Sequence, residues 1–373
     1  FSDDLKITQN KKDFFIEGEI QNKNFTLKDE LLKLSSLSYK NLEFLNTNFT
    51  SKNKFSFIID NKFKIKNLAI DSEIQVNKTE YQKPILVDNY LPEVNEVIHI
   101  KDHKIKIKYK KNYFTAEGFG KIKLEKVFDK IRYNIRIKEK DFNLTSNIEL
   151  SELKLKNQEF LKHFFPKLNE IAHLKNQKVE INYNKDNLSV RGSGKIKIEN
   201  EFDSIDFYIS KINNEFNFES LIDFEKTLFK IDFLNFKKND KSKTRLKIIA
   251  NYNEKNELNF NELSITEKNN KISLKNLLLD KDYLIIKADK VNLDYLDTEN
   301  KKNYFFLKRI QKNDYKINGT LLNANRLIDN LLKSKKNEDF KIFKNDVNLS
   351  LNLSEVYIGE EDIINDLKEK LNI

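Results

Sequence analysis

Two Glu-x-x-His pairs are the residues whose type and spacing come closest to a known chemistry. They are Glu96 with His99 and Glu170 with His173. Such pairs on facing helices supply the ligands of di-iron bundles, which need four long helices and two further glutamates. Here each pair follows a proline and runs into a segment of strand-like alternation, so we predict no metal and no other cofactor. The two histidines are expected to cap or pack within a turn.

Two Gly-x-Gly pairs raise the question of a phosphate loop. Gly118-x-Gly120 and Gly192-x-Gly194 lack a third glycine and a following helix, and the sequence continues as strand, which favours a bulge or tight bend. The chain has 4 His and no Cys, and its residue pattern contains no nucleophile triad. We therefore predict that the protein is not an enzyme and has no catalytic residues.

The segments that contain these residue pairs occur twice in the sequence. Residues 90–131 and 164–205 align without a gap at an offset of 74, with 18 identities in 42 positions. A shorter echo matches residues 11–18 to 111–118. Five of the 7 glycines fall in these segments. Reuse of turn residues indicates one supersecondary module laid down repeatedly. We predict repeat units at 90–163 and 164–237, a partial echo at 1–30 and a continuation at 238–373, all within 1–373 as one continuous repetitive β-groove.

Within the repeat almost every second residue is apolar, which predicts strands with one apolar and one polar face. The apolar members form the predicted lining of a groove: Ile105, Ile107, Tyr109, Phe114, Ile122, Leu124, Ile131, Tyr133, Ile135, Ile137, Val179, Ile181, Tyr183, Leu188, Val190, Ile196, Ile198, Ile205, Phe207 and Ile209. Short helices are predicted at 29–37, 321–332 and 362–371.

Some twenty strands with one apolar face need a cover for that face. A second sheet, a sheet closed on itself and a curled open sheet are the three solutions. The alternation of apolar and polar residues is present from the first residues to near the last, which favours the curled open sheet. The predicted fold class is mainly β: a long, curled antiparallel sheet forming an elongated apolar groove, a β-taco, with a few short helices.

Composition limits the functional classes. The chain has 373 residues, 39% hydrophobic and 34% charged, with a net charge of +10 and no Met. The lysines alternate singly with apolar residues instead of clustering, which is typical of a solvated strand face. Aromatic residues are expected on the apolar face and lysines on the other, so nucleic acid is not a predicted partner. Because Met is lacking, we expect the chain to be an excerpt of a longer protein.

Several segments resemble the repeated region of the AsmA-like family, of the YhdP type and related to TamB. They are Asn89-Tyr90-Leu91-Pro92 ahead of the Gly-x-Gly strands, Phe128-Asp129-x-Ile131-x-Tyr133, Val291-x-Leu293-x-Tyr295, Asp314-x-x-Ile317-x-Gly319, and 349–356 leading to 362–367. The resemblance implies a bridge-like protein of the periplasm, anchored to the inner membrane by a missing N-terminal segment. It also implies a β-groove that carries phospholipid between the inner and outer membranes.

The functional prediction follows from the strand pattern and from the family resemblance. Phospholipid acyl chains are the expected partner, shielded in the groove, and the membrane is reached through segments outside this excerpt. The alternative is a structural or adhesive cell-envelope β-repeat protein, in which a second sheet covers the apolar faces and no lipid is bound. A basic nucleic-acid-binding protein is the third possibility.

Overall fold

A computed structural model provides the fold, and all structural statements concern the part of the chain that it describes. That part comprises residues 4–10, 12–26, 44–83, 88–157, 161–162, 164–212, 215–240, 242–252, 257–281, 284–326, 328, 343–359 and 362–372. The chain divides into two compact units. The first contains residues 1–156 and 173–192, and the second contains 157–172 and 193–373.

Strands make up most of both units, so the prediction of a mainly β, antiparallel fold is confirmed. They are β1 (Leu5–Asn10), β2 (Asp13–Thr26), β3 (Phe44–Ile59), β4 (Ile65–Gln82), β5 (Val97–Lys110), β6 (Tyr113–Lys123), β7 (Asp129–Lys138), β8 (Asp141–Lys156), β9 (Ile171–Asn184), β10 (Asn187–Lys197), β11 (Asp203–Ile212), β12 (Glu215–Phe224), β13 (Lys230–Ile231), β14 (Phe236–Lys237), β15 (Thr244–Tyr252), β16 (Leu258–Glu267), β17 (Asn270–Leu279), β18 (Ile285–Leu296), β19 (Lys302–Arg309), β20 (Asp314–Asn323), β21 (Asn348–Tyr357) and β22 (Ile363–Asn372).

In the first unit, β1 to β8 pair in chain order and are all antiparallel. The echo found in the sequence has the same hairpin register in both places: Leu5 lies opposite Gly18, and Ile105 lies opposite Gly118. A β-bulge interrupts the β5–β6 ladder between Lys101 and Lys104, and Asp102 has a left-handed backbone there (φ 52°). Asn176, the residue 74 positions later, has the same φ of 52°.

In the second unit, β11, β12 and β15 to β20 also pair in order and antiparallel, while β13 and β14 form a separate two-stranded ribbon. The order changes at β20 and β21, which are parallel. A parallel pair requires a crossover, which the chain makes between Asn323 and Asn348. β22 returns antiparallel to β21.

The predicted helices differ from the structure. Residues 363–371 lie in strand β22, and residues 321–323 end strand β20, with helical residues only at 325, 326 and 328 in the described part of that segment. Asp366 has a left-handed backbone (φ 53°), and Ile364 and Leu367 on either side face Val356 and Leu353. This irregularity shifts the alternation by one residue and so imitates the three-residue spacing of a helix. Residues 29–37 lie outside the described residues.

The best-buried apolar row crosses the second unit. Each member lies opposite the next on the neighbouring strand: Ile205, Ile222, Leu246, Ile265, Ile272 and Leu293. All six side chains are buried. At the far strands two clusters continue the core, one around Leu353 with Val356 and the other around Tyr315 with Val347. Cross-strand contact between apolar side chains stabilises a sheet, which is why this row holds its register.

Candidate functional site

The candidate site is the apolar face of the first unit, defined by rows of paired residues across β1 to β8. One row crosses all eight strands: Phe142, Ile137, Phe114, Tyr109, Ile70, Phe55, Gly18 and Leu5. The next row contains Leu144, Ile135, Ala116, Ile107, Ser72, Asn53 and Ile20. Paired residues point to the same face of a sheet, so the two rows form a band of largely apolar surface.

This face is open compared with a protein core. Of the 15 residues in the two rows, only Ala116 and Ser72 are buried, whereas Tyr109 is 38% exposed, Ile20 47% and Leu5 60%. The opposite face carries the alternating polar residues, such as Lys106, which pairs with Glu73 at 3.1 Å. A half-exposed apolar band of this extent is the type of surface that binds another apolar molecule.

Rings lie over the two glycines of β6 and explain the Gly-x-Gly pair. A Cβ at Gly118 would lie 2.3 Å from the Tyr133 ring, and a Cβ at Gly120 would lie 2.2 Å from His103 Nδ1. Neither glycine has a positive φ. The two glycines allow the Tyr133 and His103 rings to approach the backbone of β6 closely. The β-bulge that the sequence predicted at the glycines lies instead on the neighbouring strand β5, at Asp102. His103 and Tyr133 stack with ring centroids 5.6 Å apart.

The structure places the predicted lining residues in both units. Most of them are half-buried, Tyr109 and Tyr183 are exposed, and Ile196, Ile198 and Ile205 are buried. The first-copy residues on β5, β6 and β7 share the apolar face, since Ile107 lies opposite Ala116 and Ala116 opposite Ile135. Leu124 and Ile198 follow the ends of β6 and β10. Whether these side chains contact lipid stays a prediction.

The Glu-x-x-His pairs are separated by strand geometry. His99 and His173 lie on β5 and β9, and each ring Nδ1 faces a carboxylate: Glu80 Oε1 at 3.4 Å and Glu152 Oε1 at 3.3 Å. The backbone carbonyl of Glu96 accepts a hydrogen bond from Lys83 N–H, and that of Glu170 from Asn157 N–H, both at 2.8 Å. Among the described residues no three His, Cys, Asp or Glu side chains converge.

Buried carboxylates that accept backbone hydrogen bonds were missed by the sequence reasoning. In the first copy, Glu125 Oε1 accepts from Lys154 N–H at 2.7 Å and Asp129 Oδ1 from Ser151 N–H at 2.8 Å. In the second copy, Glu199 accepts from Lys167 N–H at 2.6 Å and Asp203 from Glu225 N–H at 2.7 Å. Identity of Glu and Asp in the 74-residue repeat was the signal that could have found them.

An asparagine completes each arrangement. The Asn95 side-chain amide donates to the carbonyl of Glu125 at 2.5 Å, and Asn169 donates to that of Glu199. Lys156 N–H donates to the Tyr90 carbonyl in one copy and Lys230 N–H to the Phe164 carbonyl in the other, both at 3.0 Å. These carboxylates and amides satisfy backbone groups at strand ends, which are costly to bury unpaired. We call the two sets the first and second clamps.

Burial is the main cause of the pKa shifts of three groups on β5, on β7 and just after β6. Burial lowers the pKa of His103 and raises the pKa of Tyr133. Burial also raises the pKa of Glu125, against the opposing effect of the Lys154 backbone N–H. All three shifts favour the neutral side chain in a place from which water is largely excluded.

No family model, characterised protein or solved structure matches the chain. In the described part of the chain, no helix combines the length and the apolar character needed to cross a bilayer.

Proposed function

We propose that this protein shields phospholipid acyl chains on the apolar face of its first unit, as the resemblance to AsmA-like bridge proteins implies. The observation that carries the proposal is the band of paired apolar residues across eight antiparallel strands, most of them half-buried. Burying apolar surface against acyl chains contributes about 25 cal/mol per Å². The part of the band that is exposed to water therefore gains free energy from an aliphatic chain laid on it.

The geometry suits a sliding ligand better than a fixed one. Acyl chains make no directional hydrogen bonds, so rows of similar side chains such as Ile107 and Ile135 offer equivalent positions along the sheet. In this proposal the protein works without catalysis or cofactor. It lies in the periplasm, anchored to the inner membrane by a segment outside this chain, and supports phospholipid movement between the two membranes.

A structural or adhesive envelope protein is the second candidate. The buried row through Ile265 (2% exposed) and Ile272 (1% exposed) in the second unit favours it, because a face that is already covered by protein has no room for lipid. The two candidates differ in what a charge on the apolar face of the first unit would do.

The deciding experiment places aspartate at neighbouring positions on β7. Ile135 is half-buried on the apolar face, and Arg136 is exposed on the polar face. Purified wild-type protein should contain phospholipid by mass spectrometry. Ile135→Asp should lose most of that lipid while keeping its circular dichroism spectrum, because a carboxylate in an apolar contact costs several kcal/mol. Arg136→Asp, the matched control, should retain lipid.

Two results would favour the structural candidate instead. One is wild-type protein that contains no lipid after gentle extraction. The other is an Ile135→Asp variant that unfolds, since unfolding would mean that the face is a closed core.

A further inference from the structure

The polar face of the first unit has an exposed aromatic ring in the middle of its charged residues. Phe119 on β6 is 50% exposed, and it lies opposite Lys104 on β5 and Arg132 on β7. The sequence predicts aromatic residues only on the apolar face, and Phe119 is an exception. A half-exposed ring between two cations offers a stacking surface next to positive charge, and this combination is the reason to consider a ligand here.

A cavity of about 1020 Å³ surrounds this ring and crosses strands β2 to β8. On β8 it is lined by Thr145 and Asn147 but not by Ser146, which lies between them. Side chains alternate between the faces of a strand, so most of the lining, including Lys104, Phe119 and Arg132, comes from positions of the polar face. Ile105, Gly118 and Tyr133, from positions of the apolar face, also contribute to it. Its lining contains five basic side chains and two acidic ones, which leaves it positive.

The two cations beside the ring, Lys104 and Arg132, differ from the other basic residues of the cavity in their partners. Lys52 pairs with Glu19 and Lys106 with Glu73, each at 3.1 Å. By contrast, among the described residues neither Lys104 nor Arg132 has an ion-pair or side-chain hydrogen-bond partner. Their strands are separated by two strand spacings, about 10 Å. Long side chains from both sides can therefore reach one anion above the ring.

Glu117 is the acidic group that could oppose an anion here. It lies two residues before Phe119 on the same face and opposite Lys106 and Asn134. Lys104 and Arg132 are diagonal neighbours of Glu117, and at that separation only long side chains make direct contact. The residues paired with Phe119 on the two neighbouring strands, Lys104 and Arg132, are both cationic. An anion above the ring therefore has positive charge on both sides.

We propose that Lys104, Phe119 and Arg132 form a binding site for an organic phosphate attached to a flat ring. Arg and Lys form charge-assisted hydrogen bonds to phosphate oxygens, and Arg can do so with two N–H groups at once. The ring of the ligand would stack on Phe119, as bases do on exposed aromatic side chains. This site goes beyond the proposed lipid function and uses the opposite face of the sheet.

The second copy of the repeat provides a built-in comparison. At the positions 74 residues later it has Lys178, Ser193 and Asp206. The lysine is kept, but the ring is lost and the arginine is replaced by a carboxylate. A phosphate site at the first copy therefore predicts none at the second.

Binding of 4-methylumbelliferyl phosphate, followed by fluorescence anisotropy, tests the proposal. We expect saturable binding that weakens with added salt, with Lys104→Gln and Arg132→Gln each reducing affinity at least about tenfold, since each removes a charge-assisted hydrogen bond. Phe119→Ser, which introduces the second-copy residue, should lower the affinity to that of inorganic phosphate measured by competition. Lys178→Gln is the matched control and should bind as wild type does.

All three altered side chains are at the surface, so melting curves should be unchanged and will identify any variant that fails to fold; for such a variant, Arg132→Lys and Phe119→Leu repeat the test. Absence of saturable binding at low salt would overturn the proposal, as would equal weakening by Lys178→Gln and Lys104→Gln. The lipid content of these variants should equal that of wild type, which separates this site from the proposed lipid function.

Discussion

The two copies of the repeat share several strand-end hydrogen bonds but differ in their packing. Both clamps join the same positions through the aspartate and the asparagine, whereas Glu125 and Glu199 accept from Lys154 N–H and Lys167 N–H, which are not equivalent positions. Yet Ile196, Ile198, Ile205 and Ile222 of the second copy are buried, whereas Ile122, Leu124, Ile131 and Ile148 of the first are half-buried. The polar framework thus fixes the module, and the apolar side chains decide whether its face is closed or open.

Three leucine-to-phenylalanine differences accompany the deeper burial at these positions of the second copy. Leu91, Leu150 and Leu155 of the first copy correspond to Phe165, Phe224 and Phe229 of the second. The three phenylalanines are at most 4% exposed and contact each other with ring centroids 5.4 to 6.1 Å apart. Each ring brings more apolar area than a leucine, and mutual edge and stacked contacts add to it.

The largest expected effect comes from removing the central ring. Phe224 is 1% exposed, so Phe224→Ala should lower the free energy of unfolding by about 3–5 kcal/mol. Leu150→Ala at the equivalent position should cost less, about 2–3 kcal/mol. Urea denaturation of both variants measures the difference. Equal losses would mean that the phenylalanine cluster is not the reason for the tighter packing.

A smaller effect distinguishes the two clamp aspartates. Asp203 accepts hydrogen bonds from Glu225 N–H, Lys226 N–H and the Thr227 hydroxyl, whereas the bond at Asp129 comes from Ser151 N–H. Leucine occupies position 153, where the second copy has Thr227. Because each buried donor left without a partner costs about 1–3 kcal/mol, Asp203→Ala should destabilise the protein more than Asp129→Ala.

The clamp comparison has a direct control in Glu201→Ala. Glu201 is exposed and pairs with Lys226 on the surface at 3.2 Å, an interaction worth at most about 1 kcal/mol. Its variant should melt close to the wild type. If Asp129→Ala and Asp203→Ala were equally destabilised, the additional donors at Asp203 would contribute nothing measurable.

The smallest effect concerns pH. Burial lowers the pKa of His103 below its ordinary 6.5, and Nδ1 has no hydrogen-bond partner among the described residues. The unfolded chain therefore binds the proton more readily than the folded one, so this contribution to stability is complete above about pH 6.5 and declines as pH falls below it. His103→Gln, which introduces the second-copy residue Gln177, should remove that decline and change stability at pH 7 by less than about 1 kcal/mol.

Melting temperatures of wild type and His103→Gln between pH 7.5 and 5 measure this effect. His173→Gln is the control, because His173 is only half-buried and faces Glu152. A wild-type protein whose melting temperature follows that of His103→Gln at every pH would show that the buried imidazole does not contribute.

Much of the fold could be predicted because strand alternation and turn residues are local. The alternation around Ile105 and Ile107 gives strand and face directly, and the matched segments 11–18 and 111–118 give hairpins of one register. The helix predicted at 362–371 was wrong for a physical reason. A single left-handed residue, Asp366, changes the apolar spacing from two to three, and residue types alone do not reveal that backbone conformation.

By itself the sequence determined the repeat, the two-faced strands and the antiparallel pairing of neighbours, since these depend on side chains only a few residues apart. Tertiary structure decided what lies far apart in sequence: Glu125 with Lys154, the position of His103 over Gly120, and Phe119 between Lys104 and Arg132. It also decided which copy buries its isoleucines at 196, 198, 205 and 222 more deeply. Leucine and phenylalanine fit the same alternating pattern, and only the packing of Phe165 with Phe224 and Phe229 converts their difference in size into a buried face.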